Sequence, residues 1–301
     1  MTANMLERAT TFVYTHARLL ERRVAELEFG RKSGARAALA ALEALEAYRN
    51  ADGALGQALE PDVRAPESQP LAIDFGLAVA ERLQRHADDA AVSGRIARFT
   101  AGFVPFLASV TSEEGGVPIV TPAAADHPRA AHWGDCRFPA GLNPTANIVV
   151  RLRALGVHGD WLDRAEAFCV KEIDRLVSTG DFDGHALENL LRFLGAARDR
   201  KWADAHRATI AARIQDLRFF NLYPSADYGV SPLDIAPDPD DPTRELFPSD
   251  AIAAHLDALA AGQSDDGGWR LTWEPPAGAA TAEWRGVVTV NAISVLRRNG
   301  R

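Results

Sequence analysis

The chain has 301 residues, a formal net charge of −8 and 47% hydrophobic residues, enough to bury a sizeable core in one or two domains. The acidic balance, with no Lys/Arg stripe to neutralise a phosphate backbone, argues against a nucleic-acid partner. Two cysteines, Cys136 and Cys169, are too few for a disulfide framework, and no apolar run is long enough to span a bilayer.

The first predicted helix covers about Asn4–Leu27, with an apolar stripe at Leu6, Ala9, Val13, Leu20, Val24 and Leu27 and a stop at Gly30. Arg8, Arg18, Arg22 and Arg23 lie among acids on it, the pattern of a solvated face. An Ala/Leu-rich helix over Ala40–Tyr48 leads into Asn50-Ala51-Asp52-Gly53-Ala54-Leu55-Gly56. A loop over Gly56–Glu67, carrying Glu60, Asp62 and Arg64, separates it from a helix over about Ser68–Leu83. Phe103–Val110 is helical again and is followed by Thr111-Ser112-Glu113-Glu114-Gly115-Gly116-Val117. After the long loop Gly116–Leu142, Asn143 as N-cap with Pro144 in the first turn opens a helix that closes at Gly156. Cys169, beside Phe168 and Val170 in an amphipathic helix, reads as core. Gly180-Asp181-Phe182-Asp183-Gly184 is a shorter acid–Gly echo before a helix over Ala186–Leu194. A third long loop, Asn221–Pro248, precedes a helix marked by Ile252, Leu256, Leu259 and Ala260.

Next comes Gln263-Ser264-Asp265-Asp266-Gly267-Gly268-Trp269, and then a helix marked by Trp284, Val288, Ala292 and Val295. The glycine pair lets the chain leave a helix in conformations closed to bulkier residues. The Gln amide can cap free backbone groups, and the Trp covers the turn with a large apolar plate. The order helix, acid–Gly turn, loop, helix recurs three times. Internal repetition of a helix pair signals a helical array. Strand-like alternation is nearly absent and no linker composition appears, so one all-α domain over residues 1–301 is expected.

The Q-x-x-x-G-x-W spacing of Gln263–Trp269 resembles the QW motif of the terpenoid cyclase and protein prenyltransferase superfamily. That resemblance implies an α/α toroid, a closed barrel of paired inner and outer helices, acting on a polyprenyl-type apolar substrate. Asp238-Pro239-Asp240-Asp241 fits the D-x-D-D spacing of class II terpene cyclases, which implies Asp240 as the acid that protonates an alkene or epoxide. Clustered carboxylates can hold one acid protonated, and aromatic rings stabilise the resulting cation. Two features depart from the family: the segment is broken by Pro237, Pro239 and Pro242, and no Thr-Ala follows it. A solvated Asp/Pro loop is the competing reading.

His127, His132, Asp135 and Cys136 have zinc-ligand chemistry, but all lie in one loop, whereas the prenyltransferase ligands come from separate helices. No zinc is expected. No G-x-S-x-G, P-loop, G-x-G-x-x-G or Asp-Asp-x-x-Asp pattern occurs, so no cofactor is assigned.

In a toroid, loops at one rim and the inner helix ends enclose the cavity. The candidate site therefore gathers Trp133 and Asp135 from the second loop with Trp273, Glu274, Glu283 and Trp284 from the C-terminal turn. Tryptophans would bind substrate, and Asp135, Glu274, Glu283 or Asp240 would supply acid or base. The same set suits a carbohydrate-active α/α barrel working at a glycosidic bond, and a non-catalytic toroid binding a ligand or partner is the third reading. Whether the chain is an enzyme turns on the cavity lining. No secretory signal is visible, so cytoplasmic placement is expected. Hopene-cyclase relatives touch membranes through an apolar patch, and the resemblance leaves that open here, as it does the oligomeric state.

Overall fold

The computed structural model describes residues 3–30, 34–86 and 89–301. The described residues are helical, with isolated bridges in place of any β-ladder. In chain order the α-helices are α1 (Ala3–His16), α2 (Leu19–Phe29), α3 (Ala35–Glu46), α4 (Pro70–His86), α5 (Ala90–Ala101), α6 (Val104–Ser109) and α7 (Leu142–Ala154). There follow α8 (Asp160–Thr179), α9 (Gly184–Ala196), α10 (Arg200–Ala211), α11 (Pro232–Ile235), α12 (Ser249–Ala261) and α13 (Gly278–Arg298).

Packing follows the sequence order. Helix α2 lies against α3 and α4, α4 against α7, α7 against α8 and α9, and α9 against α10 and α11. Then α11 meets α12, α12 meets α13, and α13 packs on both α1 and α2, so the succession of neighbours returns to its start. One cluster of buried apolar side chains runs from Val13 to Val295. No helix among the described residues is long and apolar enough to cross a membrane.

The three acid–Gly turns share one backbone. Ser112 N donates to Gly116 O (2.8 Å) and Gly115 N to Ser112 O (3.0 Å). Ser264 N likewise donates to Gly268 O (2.8 Å) and Gly267 N to Ser264 O (2.9 Å). In the first turn the pair is Asn50 N to Ala54 O (2.9 Å) and Gly53 N to Asn50 O (3.0 Å). The next α-helix completes two of them: the Thr145 hydroxyl accepts from Val117 N (3.0 Å), and the Thr289 hydroxyl accepts from Trp269 N (3.1 Å). Each turn needs glycine at one position, Gly53, Gly115 or Gly267, where φ is +85°, +105° or +93°. A Cβ at Gly267 would also strike the carbonyl oxygen of Arg8.

Gly267→Ala should therefore cost roughly 2–4 kcal/mol, combining the left-handed backbone with overpacking against α1. Gly134→Ala is the control, since Gly134 has φ +50° and nothing within 4 Å of its added Cβ. Urea midpoints should fall further for the first variant. Equal losses would show that the α1 backbone yields freely.

Gln263 Nε2 donates to the carbonyls of Met5 and Gly267, both at 2.9 Å. Trp269, 5% exposed, donates its indole N–H to Leu259 O (2.8 Å). Its ring joins Ala9, Ala292, Ile293 and Leu296, so it covers α1 and the C-terminal half of α13 rather than the start of α13. Arg285 forks onto Asp266 with two 2.8 Å bonds.

Several boundaries differ from expectation. The first helix is broken between α1 and α2, because Arg18 is extended (ψ 166°) and its guanidinium is drawn to a distant loop described below. The apolar stripe continues across that break, which hides it. Helix α5, capped by Asp89 accepting from Ala91 N and Val92 N, was not anticipated. Asn143 has φ −89° and ψ 119° and makes no cap bond; the Thr145 hydroxyl instead donates to Gly141 O (2.6 Å). Gly180–Gly184 is a direct corner, with Gly180 left-handed at the end of α8 and Asp183 capping α9.

Candidate functional site

The loop 56–67 is built to bury carboxylates. It begins with two left-handed non-glycine residues, Gln57 and Ala58, each at φ +56°, which turn the chain inward at a cost of order 1–2 kcal/mol per residue. Arg18, fixed by a two-bond fork to Glu21 (2.7 and 3.0 Å), donates to Ala58 O (3.3 Å) and Leu59 O (2.9 Å). Loop 56–67 thus carries Glu60 and Asp62 in buried positions, 7% and 5% exposed.

Two further loops close over Asp62. From the loop 116–142, Ala130 N donates to Asp62 O (2.9 Å), while Arg64 N donates to Pro128 O (3.0 Å). From the segment before α13, the Trp273 indole N–H donates to Asp62 Oδ2 (3.1 Å). Arg64 forms an ion pair with Glu283 in the first turns of α13.

Aromatic rings extend from the acid in an edge-to-face row. Phe75 meets Trp284 at 6.1 Å between centroids, Trp284 meets Trp273 at 5.2 Å, and Trp273 meets Tyr228 at 6.3 Å. The Tyr228 hydroxyl lies 3.1 Å from His185 Nε2. Phe75, Trp284 and His185 sit in the N-terminal halves of α4, α13 and α9, so the row marks the end of the molecule where these helices start.

Burial governs the charges. Removal from water, reinforced by the neighbouring Asp62 carboxylate, lifts Glu60 to about 8, against the weaker opposing pull of the Asp62 and Val63 backbone N–H groups. Burial likewise raises Asp62, opposed by the nearby Trp284 indole, which makes no hydrogen bond to it, by His132 and by the bonded Trp273 N–H. Glu60 Oε2 and Asp62 Oδ1 are buried without a hydrogen-bond partner among the described residues. Burial also raises Tyr228 and lowers His185, keeping both neutral. A protonated Glu60 behind Asp62, with aromatic rings in front, is a dry acid pair of the kind that can retain and deliver a proton.

The anticipated residues divide between this cluster and the outer surface. Trp273 and Trp284 flank Asp62, and Glu283 is half-buried against Arg64. Trp133 is buried in a separate cluster with Val63, Ala130 and Cys136. Asp135 is exposed and accepts from Arg137 N (3.1 Å). Glu274 is exposed and lines a shallow surface recess with Arg270 and Pro275. Asp240 is exposed at the far end of α13, where Asp238 pairs with Arg298; Trp284 and Arg298 are separated along that helix by about 20 Å. Asp241 caps the turn at Thr243 N (2.8 Å). His127 pairs with Glu67 (3.2 Å), Cys136 is buried, and no His/Cys/Asp/Glu group among the described residues converges as a metal site. Asp62 and Glu60 were visible in the sequence only as loop acids. Their signal is that each sits between apolar neighbours, in Leu59-Glu60-Pro61-Asp62-Val63.

A cavity of about 490 Å³ lies between α4, α7, α9, α11 and α13, lined mainly by charged side chains. Compared with family models, curated proteins and solved structures, the chain matches none.

Proposed function

We propose that the helix pairs close into an α/α toroid of the terpenoid-cyclase kind, and that its aromatic rim is an acid-catalytic site with Asp62 as the proton donor. Supporting the toroid are the return of packing from α13 to α2 and the three equivalent turns between helix pairs. The observation that carries the chemistry is Asp62, buried with one oxygen unpartnered, Glu60 behind it and Trp273 and Trp284 beside it. In this reading burial makes Asp62 a reluctant acid, and Glu60, held protonated by burial and by the Asp62 carboxylate once that has given up its proton, can return one to it. The rings stabilise the positive charge that develops on the substrate after protonation. The Trp273 indole, bonded to Asp62 Oδ2, swings aside to admit the substrate.

Polarity favours a hydroxylated ring substrate of the carbohydrate class. Beside the rings stand the Tyr228 hydroxyl, His185 and the Arg64–Glu283 ion pair, polar groups that a polyprenyl chain would strip of hydration without replacing it. Sugar rings offer both CH faces for Trp and hydroxyls for such groups. Polyprenyl cyclisation is the second reading. It is favoured by the continuous ring row from Phe75 to Tyr228, which would suit an apolar cation.

The test is turnover across aryl glycosides, oligosaccharides and polyprenyl substrates, followed by Asp62→Asn on whichever is consumed. Asp62→Asn should lower kcat by about 10²–10⁴ with the helical circular dichroism intact, whereas Asp240→Asn should leave kcat near the parent value. Undiminished turnover in Asp62→Asn would remove Asp62 from the mechanism. Loss in Asp240→Asn would return the acid role to the D-x-D-D segment.

A further inference from the structure

The 490 Å³ cavity reaches the C-terminal ends of α4, α7 and α13, away from the Asp62 cluster at the N-terminal ends of α4 and α13. Five arginines line it, and their hydrogen bonds sort them into two groups. Arg151 pairs with Asp74 and with Glu81 (3.1 Å); Arg82 forks onto Glu28 (2.8 and 2.9 Å) and reaches Asn291 (2.6 Å); Arg298 pairs with Asp238 and donates to Ser294 O (3.2 Å). These three are engaged.

Arg192 and Arg85 are not. Arg192, on α9, stands 3.8 Å from Glu188 and 3.9 Å from Glu81, beyond hydrogen-bond reach, and its Nε is buried without a partner. Arg85, near the end of α4, is 3.7 Å from Asp238 Oδ2, beyond hydrogen-bond reach, while Arg298 holds the other oxygen of that carboxylate. Neither guanidinium makes a hydrogen bond to the described residues. A guanidinium drawn partly out of water with its donors unused is costly, and its planar fork matches a carboxylate or phosphate group.

We propose that this cavity binds a small organic anion, carboxylate or phosphate, seated between Arg192 inside and Arg85 at the mouth. The volume lies in the range of small-molecule pockets, about 300–1,000 Å³. Glu188, the acid nearest Arg192, is pushed up by burial, so it competes less for the guanidinium. Burial and the neighbouring Arg298 and Arg82 charges also disfavour the Arg85 cation, a strain that an anion relieves and that Asp238 only partly offsets.

The experiment is isothermal titration of the full chain at constant ionic strength with inorganic phosphate, pyrophosphate and succinate as separate probes. Saturable binding of at least one probe with unit stoichiometry is expected, and the responding arm identifies the phosphate or carboxylate class. Arg192→Gln and Arg85→Gln should each weaken it by about tenfold or more. Arg175→Gln, which removes an exposed arginine paired with Glu172 on α8, should bind as the parent does. No saturable binding by any probe, or unchanged affinity in both cavity variants, overturns the proposal. If Arg192→Gln fails to fold, Arg85→Gln decides alone, because that side chain is 53% exposed and replaceable without disturbing the core.

Discussion

Replacing Glu60 by Gln should shift stability progressively in favour of the variant as pH rises. Glu60 titrates near 4.5 in the unfolded chain and at about 8 in the folded one. Below the unfolded value both states carry the proton, and the carboxyl adds no pH dependence. Between the two values the unfolded chain has released its proton and the folded chain has not, so the folded state loses ground with each pH step. Above the folded value the penalty is complete and level. A gap of this size corresponds to about 4–5 kcal/mol as an upper figure. Gln has the same shape and no charge, so it escapes that penalty. It leaves an amide where Glu60 Oε2 already lacks a partner, a pH-independent cost of roughly 1–3 kcal/mol. The expected result is therefore a swing in relative stability toward Glu60→Gln between about pH 4 and pH 9. Urea unfolding of both proteins at the two pH values measures it. Parallel stability curves would mean that Glu60 ionises freely in the folded protein.

Trp269→Ala should cost about 3–5 kcal/mol, the range for truncating a buried large aromatic. The ring fills the space between α1 and α13, and its N–H serves the Leu259 carbonyl near the end of α12. Truncation leaves a void at the junction of three helices and leaves the Leu259 carbonyl with the Gly262 N–H (3.2 Å) as its remaining donor. Trp269→Phe keeps most of the volume and should lose clearly less. Guanidinium midpoints for the two variants separate packing from hydrogen bonding. A Trp269→Ala protein within about 1 kcal/mol of the parent would show that the turn collapses onto the gap.

Helical content and the repeated turn were legible in the sequence because both are local. Gly53, Gly115 and Gly267 stand where the backbone must be left-handed, and that requirement survives when the flanking Gln and Trp become Thr111 and Val117, or Arg49 and Leu55. The break after His16 was not legible, since the cause lies in the loop carbonyls of Ala58 and Leu59, some forty residues away in sequence. The candidate site divides in the same way. Trp273 and Trp284 stood out by residue type and by the prolines nearby. Asp62 and Glu60 did not, because their burial is produced by three loops from distant parts of the chain meeting at one point. The spacing that singled out Asp240 carries no information about burial. A carboxylate's proton affinity depends on its surroundings more than on its neighbours in sequence.

The clasp between α1 and the Gln263–Trp269 turn also bears on how the chain is made. Gln263 holds the Met5 carbonyl, and Arg8 NH2 donates to the carbonyls of Ser264 and Asp265 at 2.8 and 3.1 Å, contacts spanning more than 250 residues. During synthesis α1 and α2 emerge long before the α13 surface that covers them. The nascent chain must keep Phe12, Val13 and Leu20 out of trouble until then, with apolar faces open to other chains. Contacts of this sequence separation also slow spontaneous folding, because the ends must meet before the enclosed helices reward the encounter. Docking of α1 on α13 is thus a late event, and the ribosome-bound intermediate, rather than the finished protein, is the species most exposed to aggregation.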